Sequence, residues 1–375
     1  MKIGILGAGQ LGRMLALAGA RLGIQCACYD QSPDACAGQV APLTVGGWMD
    51  LERLDAFAAG VDVVTYEFEN VPVEAAEHVA RRVPVYPPPG ALRVCQDRLE
   101  EKTLFRKLGA ETPAFEAVGT LDELRGALER VGLPAVVKTR RDGYDGKGQA
   151  VVRHGSEAAG VWERLGGGAG AGRTPLIVEA FVAFEREVSI IAVAGRDGSR
   201  AFYPLTENRH EGGILRVSRA PAGGGGGGGG GLQRTAEALA GRALGAMNYV
   251  GVLAIELFEV RGHLLCNEMA PRVHNSGHWT IEGSATSQFE NHIRAVAGLP
   301  LGSTAMAAEG ACAGMVNLIG TAPALERLCG VKGVSVHMYG KEPRAGRKIG
   351  HVSAVAASPG LLGARLAEVQ GLLGA

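Results

Sequence analysis

The chain has no excess of either charge: 38 Lys and Arg balance 38 Asp and Glu among 375 residues. No broad field therefore draws it to nucleic acid or to an anionic membrane, and any anion it binds must be held by local groups. It has no run of about 18 apolar residues. Met1-Lys2-Ile3-Gly4-Ile5-Leu6 leads straight into a strand pattern without a cleavable apolar segment, so a cytoplasmic protein is expected. Cysteine is sparse, seven in number and without a Cys-x-x-Cys pair. Neither a disulfide framework nor a zinc site is expected from an odd, scattered set, and buried thiols fit better. Cys26 and Cys28, two apart, share one face of a strand pattern.

With 46% apolar and 20% charged residues, the chain can bury more than one core. Patterning divides it into three, at 1–92, 93–305 and 306–375. The first part alternates strand and helix: Ile3 to Leu6, a helix from about Leu11 to Leu22, Gln25 to Tyr29, a helix around Leu51 to Ala59, Val61 to Tyr66, and a short strand Val83 to Tyr86. That order predicts a doubly wound parallel sheet. Pro87-Pro88-Pro89-Gly90 breaks the chain, Ala91 to Leu108 reads as one helix, and Ala135 to Leu265 reads as α+β. A small β-rich unit with a terminal helix, Leu361 to Leu373, closes the sequence. Glycines crowd the stretch 166–172, and nine in succession run from Gly223 to Gly231. The second stretch is expected to be a linker with no helix or strand of its own.

Gly7-Ala8-Gly9-Gln10-Leu11-Gly12 follows the first strand and opens a helix, with Asp30 ending the second strand. This matches a dinucleotide fingerprint, although such a turn holds any phosphate. A second glycine cluster, Gly143-Tyr144-Asp145-Gly146-Lys147-Gly148-Gln149, lies instead between two strand patterns, 135–139 and 149–152. It predicts a lid hairpin over 135–152 that offers backbone amides to phosphates, and not a loop leading into a helix. Lys138, at the end of the strand before it, is placed to reach phosphate oxygens. Leu176 to Val182 is an apolar strand running into a linker, a shape that lets backbone groups pair with an adenine edge while side chains pack on its faces. Glu187 is placed to accept from ribose hydroxyls.

Val252 to Val260 and Leu264 to Met269 read as a hairpin around Arg261-Gly262-His263, which sets Glu256 opposite Glu268. Two like charges facing each other in an apolar ladder are destabilising unless a divalent cation lies between them, and Mg²⁺ prefers such carboxylates. Arg272 to His278 then supplies a guanidinium fork for an acyl phosphate or bicarbonate, with polar groups beside it. His274 and His278 are spaced i, i+4, but Pro271 and Gly277 argue against a helical zinc pair. Lys341 to Lys348 is a basic loop, read either as a solvated charge run or as a clamp for a substrate phosphate.

Strand, lysine, glycine lid and strand resemble the ATP-grasp enzymes. Five further segments narrow the resemblance to the N5-carboxyaminoimidazole ribonucleotide synthase family: Gly7 to Met14, Tyr66 to Pro72, Glu207 to His210, Asn267 to Thr280 and Gly346 to His351. The resemblance implies an ATP-grasp fold with an N-terminal Rossmann-like domain and a small C-terminal β-rich domain. It implies ATP-dependent carboxylation of 5-aminoimidazole ribonucleotide by bicarbonate, with ADP and phosphate released. Carried onto matching residues, ATP would contact Arg98, Lys138, the lid from Gly143 to Gln149, Glu179 to Val182, Glu187, His210, Asn267 and Glu268. Mg²⁺ would sit on Glu256 and Glu268. The ribonucleotide would meet Gly9, Gln10, Leu11, Glu67, Tyr144, Asp145, Arg272, His274, Asn275, Ser276, Lys341 and Arg347. Lys138 and Arg272 would neutralise the transferring group, and Asp145 would accept a proton or orient the amine. A homodimer and a functional link to a mutase acting on the product are also implied. Two rivals stay open, a formate-dependent ribonucleotide transformylase and a dinucleotide-dependent oxidoreductase. The nine-glycine run departs from the family pattern.

Overall fold

The computed structural model describes residues 1–143, 146–168, 173–223 and 230–374. The expectations for Tyr144 and Asp145, and for much of both glycine stretches, lie outside the described residues.

Strand β1 (Lys2–Leu6), helix α1 (Gln10–Arg21), β2 (Gln25–Asp30), β3 (Leu43–Val45), α2 (Leu51–Ala59) and β4 (Val63–Tyr66) form the first layer set. Their sheet is parallel, in the order β3-β2-β1-β4. Ile3 and Ile5 point to one core, and Leu6, Val64 and Tyr66 to another on the opposite face, as strands covered on both sides require. Cys26 and Cys28 are buried, all seven cysteines are unpaired, and Cys329 is exposed. Helix α3 (Val73–Ala80) follows, an element the sequence reading omits. The strand expected over 83–86 reduces to a single bridge, Val64 to Val85. Pro84 and Pro87 on either side remove the donors a ladder needs.

The single helix expected from Ala91 to Leu108 is two, α4 (Pro89–Cys95) and α5 (Arg98–Lys107). Asp97 breaks it: its backbone is extended and its carboxylate accepts from Leu99 N at 3.0 Å. The same carboxylate binds Arg140 at 2.7 Å. A capping side chain competes well with helix continuation when it is also paired.

A small antiparallel sheet comes next: β5 (Phe115–Val118), α6 (Leu121–Val131), β6 (Ala135–Thr139), β7 (Gln149–Val152), α7 (Ala158–Arg164) and β8 (Leu176–Ala180), with strands ordered β5-β8-β6-β7. Leu124, Val137, Trp162 and Val178 form its own core.

The rest is organised on one sheet of nine strands. Its elements are β9 (Arg186–Ala194), β10 (Arg200–Phe202), β11 (Thr206–Glu211), β12 (Ile214–Ala220), α8 (Gly230–Ala246), β13 (Gly251–Val260), β14 (His263–Ala270), α9 (Thr280–Gly283), α10 (Gln288–Ala297), β15 (Cys312–Ile319), α11 (Leu325–Cys329), β16 (Val334–Met338), β17 (Lys348–Ala356) and α12 (Pro359–Leu372). The strand order is β14-β13-β9-β11-β12-β15-β17-β16, with β10 beside β9. The C-terminal strands therefore extend the central sheet through the β12–β15 pair and build no sheet of their own. Helix α8 begins at Gly230, so the last two glycines of the nine are helical and not linker. Burial of Ala236, Leu239, Ala240, Ala243 and Leu244 offsets their poor propensity. No helix among the described residues is long and apolar enough to cross a membrane.

Candidate active site

The carboxylate hairpin is built differently from the expectation, with the same outcome. Its turn has two residues, Arg261 (φ 49°) and Gly262 (φ 76°), so Val260 pairs with His263. Two positive φ values make this the tight turn that suits strand twist. That register would misalign the acids by one residue. A one-residue bulge at Asn267, between the pairs Leu257–Cys266 and Glu256–Glu268, restores the alignment. Glu256 and Glu268 thus face each other. Burial, then Glu268, raises the Glu256 pKa, whereas burial of Glu268 is overcome by Arg98 and Lys138, which hold its pKa low. Arg98 Nη1 bonds Glu268 Oε2 at 2.6 Å, and Asn267 Oδ1 is buried without a partner.

Lys138, at the end of β6, places Nζ 3.0 Å from Glu179 Oε2. Glu179 is buried at the end of β8, and its Oε1 has no partner. Burial pushes its pKa up, but Lys138 and Lys102 more than reverse this, so it stays ionised. Beyond it, the amides of Ala180 and Phe181 bond Ala114 O (2.8 Å) and Pro134 O (3.2 Å), whereas the Val182 amide bonds no carbonyl among the described residues. The lid begins where Lys138 pairs with Gln149, and Thr139 N bonds Gly148 O at 2.8 Å. Gly143 O accepts from Arg98 Nη2 at 3.2 Å. Gly146 and Gly148 have positive φ, and a Cβ on Gly148 would stand 2.6 Å from Thr139 Oγ1. His210 Nδ1 lies 2.6 Å from Glu187 Oε2 across β11 and β9. Burial lowers the His210 pKa, and the bond to Glu187 carries it above its ordinary value.

The segment after β14 turns toward the first sheet. Arg272 Nη2 bonds Glu69 Oε2 at 2.6 Å, a partner the sequence reading did not single out. His274 Nε2 lies 3.4 Å from Glu256 Oε1, while its Nδ1 accepts from Ser276 N at 3.3 Å. Burial, then Arg272, depresses the His274 pKa to about 3, so it is neutral. Asn275 has both amide atoms buried and unpartnered. Ser276 is fully buried, with its hydroxyl 2.8 Å from Ser189 Oγ and 2.9 Å from His274 Nδ1.

The glycine turn also differs from expectation. Glu67 Oε1 accepts from Gly9 N (2.7 Å) and Oε2 from Gly12 N (3.2 Å), while Asp30 Oδ2 accepts from Ala8 N (2.7 Å). Two carboxylates therefore take the amides that the fingerprint assigns to phosphate, including that of Gly9. The amides of Gln10 and Leu11, the first two of α1, have no intrahelical partner and bond no other group among the described residues. Lys341 Nζ meets Gln10 Oε1 at the mouth of this turn, and Arg347 Nη1 bonds Glu342 O at 3.2 Å. Lys341 and Arg272 both act on the Glu67 carboxylate, as Arg98 and Lys138 do on that of Glu268.

Three family descriptions match in sequence order: a ribonucleotide synthetase preATP-grasp domain over 1–96, an ATP-grasp domain over 103–289, and a phosphoribosylaminoimidazole carboxylase C-terminal domain over 313–365. A curated N5-carboxyaminoimidazole ribonucleotide synthase of Pseudomonas aeruginosa is 49% identical over 373 residues, covering 100% of this chain and 99% of that protein. The chain belongs to the N5-carboxyaminoimidazole ribonucleotide synthase family. A solved family member from Thermus thermophilus superposes with TM-score 0.91 at 55% identity, covering 99% of this chain and 98% of that one. Another, from Aspergillus clavatus in complex with ADP and 5-aminoimidazole ribonucleotide, does so with TM-score 0.87 at 30% identity, over 100% and 97%. Family membership over the whole length replaces the oxidoreductase reading, which accounted for the first 30 residues and nothing after them.

Proposed function

We propose that this chain performs the reaction of its family, ATP-dependent carboxylation of 5-aminoimidazole ribonucleotide to the N5-carboxy product, with bicarbonate as donor. The observation that carries the reading is the Glu256–Glu268 pair at a bulge, with Arg98 paired to Glu268 and His274 beside Glu256. A binding protein gains nothing from two carboxylates set against each other with no cation between them. Their two carboxylates and the unpartnered Asn267 Oδ1 form a hard oxygen set that suits Mg²⁺. Bound there, Mg²⁺ would neutralise charge on the ATP phosphates.

In this scheme Lys138 and the lid amides hold the phosphates, Glu179 and Val182 face the adenine, and Glu187 with His210 meets the ribose. A bicarbonate oxygen attacks the γ-phosphorus as the bond to ADP breaks, giving carboxyphosphate, with Arg272 steadying the anion. The exocyclic amine then attacks the carboxyl carbon, phosphate leaves, and Asp145 takes or orients the amine proton. Lys341, Arg347 and the amides of Gln10 and Leu11 anchor the ribonucleotide phosphate. Glu67, Tyr144 and Asn275 line the sugar and the amine. The division at 1–92, 93–305 and 306–375 assigns ribonucleotide, ATP and phosphate clamp in turn. A cytoplasmic homodimer whose labile product passes to a mutase completes the proposal.

Release of ADP from Mg-ATP and bicarbonate, with and without the ribonucleotide, tests it. Strong stimulation by the ribonucleotide that disappears on bicarbonate depletion is expected. Stimulation by formate with another amine acceptor would favour the transformylase.

A further inference from the structure

Strand β14 lies at the edge of the nine-stranded sheet, so one row of its backbone groups has no neighbouring strand. Around the bulge that row is met by side chains of α5. Lys102 Nζ donates to Asn267 O at 3.1 Å, and Glu101 Oε1 accepts from Met269 N at 2.5 Å. Arg98 holds the Glu268 carboxylate between them. Positions 98, 101 and 102 share one helix face, so a single face of α5 grips three successive residues of β14.

Lys102 does more than cover an edge. It is fully buried, and its ammonium also lies 3.1 Å from Glu179 Oε2, the same oxygen that takes Lys138. A buried ammonium is tolerated only when paired and hydrogen-bonded. Here its partners belong to the adenine-facing strand β8 and to the metal-facing strand β14. One carboxylate shared by two ammoniums leaves one net positive charge. Without Lys102, Glu179 and Lys138 would form a neutral pair, and Lys138 would have little charge left for phosphate.

We infer that Lys102 is a positioning residue for the nucleotide: it neutralises Glu179 so that Lys138 serves the phosphates, and it fixes the Asn267 carbonyl that sets the bulge. The inference rests on the proposed ATP placement, and calorimetric titration of the unaltered chain with ADP tests that placement separately. Lys102→Met is expected to weaken ADP binding roughly tenfold or more, the scale of a lost charge-assisted bond, with ribonucleotide binding unchanged. Adding Glu179→Gln to Lys102→Met removes the carboxylate that would otherwise consume the Lys138 charge, and should tighten ADP binding at least about threefold relative to Lys102→Met alone. A purely structural lysine would give no such rescue. ADP affinity unchanged in Lys102→Met, or a double variant no tighter than Lys102→Met, overturns the inference. If Lys102→Met does not fold, the double variant is compared with Glu179→Gln alone, and a loss of about tenfold between those two overturns it.

Discussion

Acid should loosen the joint between the first sheet and the central one, and His292 gives the size of the effect. Its ring is fully buried on α10. Nδ1 accepts from Val252 N at 3.0 Å on β13, so Nε2 carries the hydrogen and donates to Thr65 Oγ1 at 2.8 Å on β4. The bond from Val252 needs the neutral ring, because a protonated Nδ1 cannot accept, and burial depresses the ring's pKa from 6.5 to about 3. Because the folded value lies below the unfolded one, the stabilisation is complete above pH 6.5 and is lost as pH falls toward 3. Linkage then gives a loss of about 1.4 kcal/mol between pH 7.5 and 5.5, rising to about 5 kcal/mol at the acid limit. His292→Gln cannot titrate. It should be less stable at neutral pH by about 1–3 kcal/mol, from a poorly matched buried bond. The gap between the two proteins should close by about 1.4 kcal/mol on going to pH 5.5. Urea unfolding followed by tryptophan fluorescence at both pH values measures it. A gap that stays constant would refute the neutral-ring assignment.

Glu268→Gln should cut ADP release at least about a hundredfold while the melting temperature stays within a few degrees; near-normal turnover would remove the metal assignment. Gly148→Ala forces a side chain into positive φ against Thr139 Oγ1, at a cost of about 1 kcal/mol or more. Its KM for ATP should rise several-fold, and an unchanged KM would show that the lid base is not set by this glycine. Glu69→Ala frees the Arg272 guanidinium, and kcat should fall about tenfold with ATP affinity kept. A fall in ATP affinity instead would place Arg272 on the nucleotide side.

The order of strands and helices was legible because apolar runs and glycine turns are local signals, and whole-length motifs pointed to the family. What escaped depends on contacts distant in sequence. Asp97 reads as a helix residue until Arg140 reaches it. Glu101 and Lys102 look like the polar side of a surface helix, and only the exposed edge of β14 explains why both are buried. Gly262 was the available sign of a tight turn, but nothing in the sequence announces the bulge that compensates for its two-residue loop. Likewise Gly9 to Leu11 looks like a free phosphate cradle because Glu67, 58 residues from Gly9, is invisible to local pattern.

The small sheet enters and leaves the molecule through adjacent strands, with Phe115 at the start of β5 paired to Glu179 near the end of β8. Everything between these residues is one uninterrupted excursion of the chain, so it works as a jaw carried on two neighbouring threads. The opposite jaw is the continuous central sheet, stiffened by the C-terminal strands. A swing of the small sheet about those threads would move Glu179 little, since it lies on them beside Lys102. Residues farther along the excursion would move more, so the topology separates a fixed root from a long stroke.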